Sequence, residues 1–163
     1  MPLDISQLFD RFGEAMYRYL TVKLGSPDDA EDVLQEAFFR LVKYSFRLRF
    51  VHDLRAFAFR TARNEANRFL QRRIHSEQAT RPAAGFAESL RRSYSGPDGL
   101  SEQAVSSALA RIPDEQREVI VLRIFEGLSF REIAAVSGQS INTVASRYRY
   151  GIEKMRALME GGE

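Results

Sequence analysis

The sequence predicts an all-α protein, with two small helical domains joined by a flexible linker. Apolar residues recur at intervals of three and four along most of the chain, as in amphipathic helices, and no stretch alternates convincingly like a strand. Capping and stop residues divide this pattern into separate helices. A segment rich in Ser, Gly and Pro interrupts it, so we predict domains at 1–74 and 101–163 and a linker at 75–100.

Three helices are predicted in the first domain. The first covers residues 5–24 and stops at Gly25, and Ser26 with Pro27 starts the second, which runs to about residue 44. An aromatic and basic loop leads into the third helix, at 53–74. The side chains predicted to face the core are Leu8, Phe9, Phe12, Met16, Tyr19, Leu20, Val33, Leu34, Ala37, Phe38, Leu41, Val42, Leu54, Phe57, Ala58, Thr61, Ala62, Ala66, Phe69 and Leu70.

Four helices are predicted in the second domain, after at most one short helix near residues 86–91 of the linker. The first two cover about 101–111 and 115–125. Ser129 and Glu132 then match a capping box, Gly138 ends that short helix, and Ser140 caps a last helix that runs to about residue 158. This arrangement predicts a helix-turn-helix. The apolar stripe of the last helix comprises Ile141, Val144, Ala145, Tyr148, Ile152, Met155 and Leu158 or Met159.

The opposite face of the last helix is polar and basic. Such side chains suit a DNA major groove, because Arg pairs with guanine or phosphate, and Asn, Ser and Thr reach base edges or phosphates. The candidate DNA contacts are Ser140, Asn142, Thr143, Ser146, Arg147 and Arg149. A solvated face on an ordinary packed helix is the alternative, but the capping box and the glycine turn favour DNA.

Charge is segregated along a chain whose formal net charge is only +2. Residues 54–73 contain six arginines and one glutamate, whereas residues 27–36 contain five acidic residues and no basic one. Such separate blocks indicate two different partners, one polyanionic and one basic. Favourable capping of a helix N-terminus is the alternative for Asp28 and Asp29, but it does not account for Gln35 and Glu36, two turns further in.

Several function classes receive no support from the sequence. The chain has no cysteine, which excludes disulfides, thiolate metal sites and thiol catalysis. Its two histidines, His52 and His75, lie in polar surroundings without a second metal ligand at suitable spacing, so we predict no metal and no cofactor. No convergent set of catalytic groups appears, which argues against an enzyme. Without an export signal or a long apolar run, a cytoplasmic, nucleoid-associated protein is expected.

Five motifs in order resemble the extracytoplasmic-function (ECF) group of bacterial sigma-70 sigma factors, whose members keep regions two and four joined by a linker. The region two motifs are DAEDVLQEAF at 29–38 and LRAFAFRTARN at 54–64. The region four motifs are IPDEQREVI at 112–120, EGLS at 126–129 and TVASR at 143–147. The resemblance covers nearly the whole chain and implies a dissociable transcription initiation subunit that directs core RNA polymerase to promoters.

The resemblance also implies a role for each surface. The acidic second helix would bind core polymerase through Asp32, Gln35, Glu36 and Phe39. The third helix would recognise and open the minus-ten element through Arg60, Arg63, Asn64, Asn67 and Arg68, and the helix-turn-helix would read the minus-thirty-five element as duplex. Weaker candidates for holding a flipped base are Phe46, Arg47 and Arg49; packing over the core is the equally weighted alternative for Phe46 and Phe50. An anti-sigma factor is a further partner that the resemblance allows.

Two other functions remain open from the sequence. A free-standing helix-turn-helix regulator would bind an operator as a dimer and leave the surface from Asp32 to Phe39 without a role. A sigma-like decoy would bind an anti-sigma factor and never DNA, which the polar face with Asn142, Arg147 and Arg149 argues against.

Overall fold

The computed structural model describes residues 4–76 and 99–161, with the backbone alone at 99–102. Within these ranges every regular element is a helix, which confirms the predicted all-α class. The predicted linker falls almost entirely between the two ranges, and the short helix expected near 86–91 lies outside the described residues. The elements are α1 (Ile5–Leu24), α2 (Pro27–Lys43), α3 (Ser45–Leu48), α4 (Leu54–His75), α5 (Gly99–Arg111), α6 (Asp114–Ile120), a π-helical segment (Val121–Phe125), α7 (Phe130–Ser137) and α8 (Ile141–Glu160).

Local capping signals set the ends of the first helices. The Asp4 carboxylate accepts a hydrogen bond from the Ser6 N–H at 3.0 Å, and the Ser26 hydroxyl accepts one from the Asp29 N–H at 3.3 Å. Gly25 ends α1 with φ 71°, in the left-handed region that favours glycine. The predicted stop at Gly25 and the predicted start at Ser26 are therefore confirmed.

The short helix α3 lies where the sequence predicted a loop. Its last residue, Leu48, is 2% exposed and belongs to the core. The Leu48 N–H donates to the Tyr44 carbonyl at 3.2 Å, which closes a single helical turn. Burying one leucine thus draws this part of the connection into a helix, and the loop prediction was wrong there.

The single helix predicted at 115–125 is divided in the structure. It starts as α6 and widens into the π-helical segment at Val121. The Glu126 N–H donates to the Val121 carbonyl at 3.1 Å, and the Leu128 N–H donates to the Leu122 carbonyl at 3.0 Å. Both bonds span more than the four residues of an α-helical turn, so they turn the chain towards α7 and correct the prediction of a regular helix here.

The predicted apolar stripes are mostly buried, with exceptions at their edges. Phe9, Val42 and Ile141 are 53%, 48% and 45% exposed, so their assignment to the core was wrong. Phe59, which the predicted stripe of its helix omits, is 1% exposed and packs edge-on against Tyr19, with ring centroids 5.7 Å apart. The helix α4 is therefore covered on more than one side.

The two helical domains pack face to face. A single apolar cluster joins Leu8, Met16 and Ala62 of the first domain to Leu122 and Ile133 of the second. The helices α4 and α7 lie against each other across this junction. None of the helices in residues 4–76 and 99–161 is long and apolar enough to span a membrane.

Candidate nucleic-acid and protein interfaces

The helix-turn-helix is built on local caps and a tight turn. The backbone N–H of Ser129 and that of Glu132 each donate to the other residue's side chain at 3.1 Å, which confirms the predicted capping box. Gly138 closes α7 with φ 73°, and the Ser140 hydroxyl accepts a hydrogen bond from the Thr143 N–H at 3.1 Å to start α8. The buried side chains on these two helices include Ile133, Val136, Val144 and Met155.

The residues predicted to read duplex DNA lie on the first three turns of α8. Ser140, Asn142 and Arg149 are exposed, whereas Thr143, Ser146 and Arg147 are partly buried. The Nη2 atom of Arg147 lies 3.4 Å from Oε2 of Glu115 on α6. The Arg149 guanidinium lies 5.2 Å from the centroid of the Tyr150 ring. The exposed first turn of α8 leaves its positive dipole end available to phosphate.

The predicted minus-ten contacts on α4 are not equally accessible. Arg60, Asn64 and Arg68 are exposed and Asn67 is partly buried. Arg63 points towards the second domain, and its side chain is 23% exposed. The Nη1 atom of Arg68 lies 2.9 Å from Oε1 of Glu65, a buried carboxylate that also pairs with an arginine of α2. One of the five candidates is thus covered in this arrangement of the domains.

The predicted polymerase-binding residues form an open acidic strip on α2. Asp32, Gln35, Glu36 and Phe39 are all exposed, and Phe39 is 57% exposed. A cavity of about 150 Å³ lies between α2 and α4 beside this strip. Its lining comprises Asp32, Val33, Glu36, Glu65, Phe69 and Arg72. Asp32 and Glu36 are the carboxylates of this lining that a basic side chain with a long aliphatic stem could meet, since Glu65 is already paired with two arginines.

The connection from α2 to α4, which includes α3, presents two aromatic rings to solvent. Phe46 and Phe50 are 71% and 72% exposed, which contradicts the alternative that they pack over the core. The Arg49 guanidinium lies 4.8 Å from the centroid of the Phe50 ring, and Arg47 is also exposed. Exposed rings beside arginines have the composition of a surface that stacks unpaired bases.

Sequence reasoning missed a cluster of ion pairs between the two domains. We call the first-domain residues Arg18, Lys23, Arg55 and Arg63 the basic face, and Glu118, Glu126 and Glu132 the acidic triplet. Arg55 forms a bidentate pair with Glu132, at 2.7 Å from Nη2 to Oε1 and 3.0 Å from Nε to Oε2. Nη2 of Arg18 lies 3.0 Å from Oε1 of Glu126, whose side chain is 2% exposed. The partners are separated by 77 and 108 residues, so no local pattern could predict these contacts.

Glu118 is the centre of this cluster. Its Oε1 accepts hydrogen bonds from the Tyr19 hydroxyl at 2.8 Å and from Arg63 Nε at 2.6 Å, and its Oε2 lies 3.5 Å from Lys23 Nζ. Burial raises the pKa of Glu118, but the charges of Lys23 and Arg63 and the hydrogen bonds outweigh it, so the pKa is lowered from its ordinary value. Glu118 is therefore ionised and held by three first-domain side chains.

Glu132 is ionised as well. The hydrogen bond from Arg55 lowers the pKa of Glu132 to about 2 against the opposing effect of burial, and the Ser129 N–H contributes in the same direction. The same bond raises the pKa of Arg55. One carboxylate thus serves both the cap of α7 and the junction with the first domain.

The described residues contain no group of three or more His, Asp and Glu side chains that could hold a metal ion. The two histidines in those residues are both exposed, as expected of surface residues.

Two family models match separate parts of the chain: Sigma-70 region 2 over residues 8–74, and Sigma-70, region 4 over residues 102–155. The ECF RNA polymerase sigma factor BldN of Streptomyces coelicolor is 29% identical over 159 residues. That match covers 94% of this chain and 59% of BldN, so the chain spans less than two thirds of this relative.

Two solved structures are similar over both domains. The structure of CnrH in complex with the cytosolic domain of CnrY is 26% identical, covers 98% of this chain and 89% of its own, and has a TM-score of 0.68. The sigma factor RpoE in complex with the anti-sigma factor NepR, from Bartonella quintana, shares the fold at 20% identity, with 97% and 98% of the two chains covered and a TM-score of 0.73.

Proposed function

This chain belongs to the extracytoplasmic-function group of RNA polymerase sigma factors, and we propose that its two domains divide promoter recognition while α2 holds core polymerase. It is a dissociable initiation subunit that directs core RNA polymerase to specific promoters. It performs no catalysis of its own. The observation that carries the proposal is the exposed, polar first turn of α8 on a fully capped helix-turn-helix.

The second domain would read the minus-thirty-five element as duplex DNA. Asn142 and Arg149 are the exposed base or phosphate contacts, and Ser140 presents the capped N-terminus of α8 to the backbone. Arg147 would join them once Glu115, which is 72% exposed and 3.4 Å away, yields to the row of phosphate charges along the DNA backbone. Thr143 and Ser146 flank these residues on the same turns.

The first domain would bind and open the minus-ten element. Exposed Arg60 and Arg68 would hold phosphates, and Asn64 and Asn67 would approach bases of the separated strand. The exposed rings of Phe46 and Phe50 supply surfaces for unstacked bases, and they stand beside Arg47 and Arg49. Arg63 becomes available in this scheme only when the second domain moves away from α4.

The acidic strip on α2 would bind a basic surface of core polymerase. Asp32 and Glu36 supply charge, Gln35 a hydrogen-bonding amide, and Phe39 an exposed apolar anchor. The neighbouring cavity, whose lining includes Asp32 and Glu36, would accept a basic side chain of the polymerase.

We also propose the finer boundaries and the setting. The first domain would comprise residues 1–74, the linker 75–100 and the second domain 101–163. The protein would act in the cytoplasm, associated with the nucleoid, where promoters and polymerase lie. An anti-sigma factor is proposed as a further partner, supported by the likeness to RpoE, whose structure contains one.

In-vitro transcription with core polymerase, followed by mapping of transcript starts, tests the proposal. We expect promoter-specific transcripts with the wild-type chain. Arg147→Ala should reduce initiation by about tenfold, the effect of losing one good DNA contact, while core binding stays intact. Asp32→Arg should weaken core binding, and initiation with it, because it replaces an exposed acid of the strip by a base.

Matched controls separate these surfaces from general damage. Arg111→Ala removes an exposed arginine of α5, and Asp10→Arg reverses an exposed aspartate of α1. Both should initiate normally. If Arg147→Ala and Asp32→Arg also initiated normally, the assigned surfaces would be wrong. Sequence-specific binding to duplex DNA as a dimer, with no effect on core polymerase, would instead identify a free-standing regulator.

A further inference from the structure

The basic face of the first domain is covered by the second domain. Its four cations come from two helices, Arg18 and Lys23 on α1 and Arg55 and Arg63 on α4. Every one of them pairs with a carboxylate of the second domain at 3.5 Å or less. Four cations thus meet three carboxylates across the junction, and Lys23 and Arg63 share Glu118.

The carboxylates of the pairs across the junction are largely shielded from water, whereas the side chains of Arg18 and Arg55 remain 32% and 38% exposed. Side-chain exposure is 2% for Glu126 and 15% for both Glu118 and Glu132. Charges this covered are costly unless they are paired, because each would lose its hydration without compensation. The acidic triplet is therefore complementary to the basic face, which compensates the buried charge while the two domains are in contact.

The chemistry of the basic face is that of a phosphate site. Arginine binds a carboxylate and a phosphate with the same forked geometry, and the Arg55–Glu132 pair has that bidentate form. Arg63, one of the proposed minus-ten contacts, belongs to this face and is held by Glu118 at 2.6 Å. Four cations on two helices, one of them on the proposed DNA path, carry the charge that a polyanionic backbone attracts.

We propose that Arg18, Lys23, Arg55 and Arg63 form a binding face for promoter-DNA phosphates, and that the acidic triplet of the second domain occupies it as an internal competitor. This inference rests on the proposed function, since it extends the minus-ten surface from α4 to α1. In the closed arrangement the carboxylates take the place of phosphates. Separation of the domains exposes the face for DNA, so the free chain binds nucleic acid weakly and the open chain binds it well.

Binding of the full-length chain to a fluorescein-labelled 20-nucleotide oligo-dT strand, followed by anisotropy, tests this directly. The test variant is Glu118→Gln with Glu132→Gln, which removes two charges while glutamine can still serve in the capping box. We expect its affinity for the strand to rise by about tenfold, because the open state becomes more populated. The dependence of affinity on salt should also steepen, because more cations then contact phosphates.

The control variant Glu153→Gln with Glu160→Gln removes the same charge from exposed positions of α8 in the same domain. It should bind the strand like the wild type, which separates the junction from a simple change in net charge. Adding Arg55→Ala to the test variant should cancel most of the gain. If circular dichroism shows that the double variant loses helix content, Glu132→Gln alone replaces it as the test variant. We expect a smaller gain in strand affinity from this single change.

Domain separation is measured in the same proteins. Because the chain has no cysteine, Gln7→Cys and Ala157→Cys give two unique exposed sites for spin labels, one in each domain. We expect one distance in the wild type and a second, longer one in the test variant. An opened variant with unchanged affinity would show that the basic face does not bind phosphate. A variant that stays closed would show that the triplet does not hold the domains.

The transcription experiment keeps this inference separate from the proposed function. Promoter-specific initiation by the wild type without a gain in strand affinity by the test variant overturns the internal competitor and leaves the sigma activity standing. A gain in strand affinity without any initiation by the wild type overturns the proposed function instead.

Discussion

Glu132 joins two tasks in one side chain, and its ionisation links them. It caps α7 through the Ser129 N–H and forms the bidentate pair with Arg55 across the domain junction. The cap survives protonation in part, because a neutral carboxyl keeps an acceptor oxygen, whereas the ion pair does not. The junction should therefore weaken in acid before the helix does.

The pKa of Glu132 sets the pH range over which the domain junction weakens. The pKa is lowered from 4.5 to about 2 in the closed chain. An acidic group whose pKa is lowered in the closed form stabilises that form fully at pH values above its ordinary pKa. This stabilisation is lost as the pH falls from about 4.5 towards 2. The spin-label distance should lengthen over this range in the wild type. Glu132→Gln should lack that part of the response, and Glu153→Gln should retain it; equal responses in all three would contradict the role of Glu132.

Close packing in the middle of α8 requires glycine at position 151. An added Cβ would lie 2.7 Å from the Ile120 Cδ1 atom and 3.2 Å from the Gln116 Cβ atom. Alanine favours a helix by about 1 kcal/mol over glycine, but overpacking costs about 1–3 kcal/mol. Gly151→Ala should thus lower the free energy of unfolding by about 1 kcal/mol in denaturant titrations.

A compensating change tests this explanation of Gly151. Ile120→Val removes the Cδ1 atom that the new methyl group would meet. Combined with Gly151→Ala it should cost less than the sum of the two single changes, because the closest of the two contacts is removed. If the changes in unfolding free energy of the two substitutions were strictly additive, the close contact with Ile120 would not be the reason that residue 151 is glycine.

At the scale of helices, the sequence predicted the ends best where the signal is local. Ser26, Ser129 and Ser140 each cap a backbone N–H three residues away, and Gly138 takes the positive φ that closes α7. Such contacts need no tertiary context and can be read from spacing alone. They position the turn and the exposed face of α8, so the candidate DNA contacts were also accessible to sequence reasoning.

Two elements depended on distant contacts and were missed. The α3 turn forms around a leucine whose burial is decided by the whole first domain. The π-helical segment follows from the Leu128 N–H bonding to the Leu122 carbonyl, while both side chains are fully buried in the core. Periodicity in one helix carries no information on such constraints, which arise only when α7 docks.

Substitutions at Ser140, the N-cap of α8, can separate an effect on stability from an effect on DNA binding. Ser140→Ala removes the acceptor for the Thr143 N–H and should cost about 1 kcal/mol of stability. Ser140→Asp keeps a cap and suits the helix dipole, so stability should stay within about 0.5 kcal/mol of the wild type. Its negative charge would face phosphates, however, and should reduce initiation more than Ala does.

Thermal unfolding and in-vitro transcription of both Ser140 variants measure the two effects. The exposed Ser107→Asp on α5 is the matched control for added charge and should change neither. Initiation by Ser140→Asp at the wild-type level would show that the N-terminus of α8 does not approach DNA.

For the whole molecule, the sequence predicted two domains but not their contact. Opposite charge blocks were visible along the chain, yet they were assigned to external partners. In this arrangement of the domains, Arg63 and Arg55 meet glutamates of the second domain 55 and 77 residues away. An arginine can meet any of several oppositely charged surfaces, and the docking geometry of the domains decides which one. The composition of the segments does not encode that geometry. The same charges can serve the internal junction in one state and DNA in another.

Apolar contacts, in addition to the ion pairs, hold the two domains together. A substitution at Val22 tests how much the apolar contacts contribute to the stability of the closed form. Val22 lies on α1 but packs into the second domain's cluster beside Leu109 and Ile120, at 3% exposure. Val22→Lys should disfavour the closed form by about 2 kcal/mol or more, from lost burial and a charge placed in an apolar site.

We expect the radius of gyration of Val22→Lys in small-angle scattering to increase, while the helix content stays at the wild-type value because the domains open without unfolding. The control Val42→Lys changes a residue of α2 that is 48% exposed, and it should leave the radius unchanged. A gain in oligo-dT affinity should accompany the opening of Val22→Lys, since the basic face is released without any change to the acidic triplet. An unchanged radius would mean that the ion pairs alone are enough to keep the domains closed.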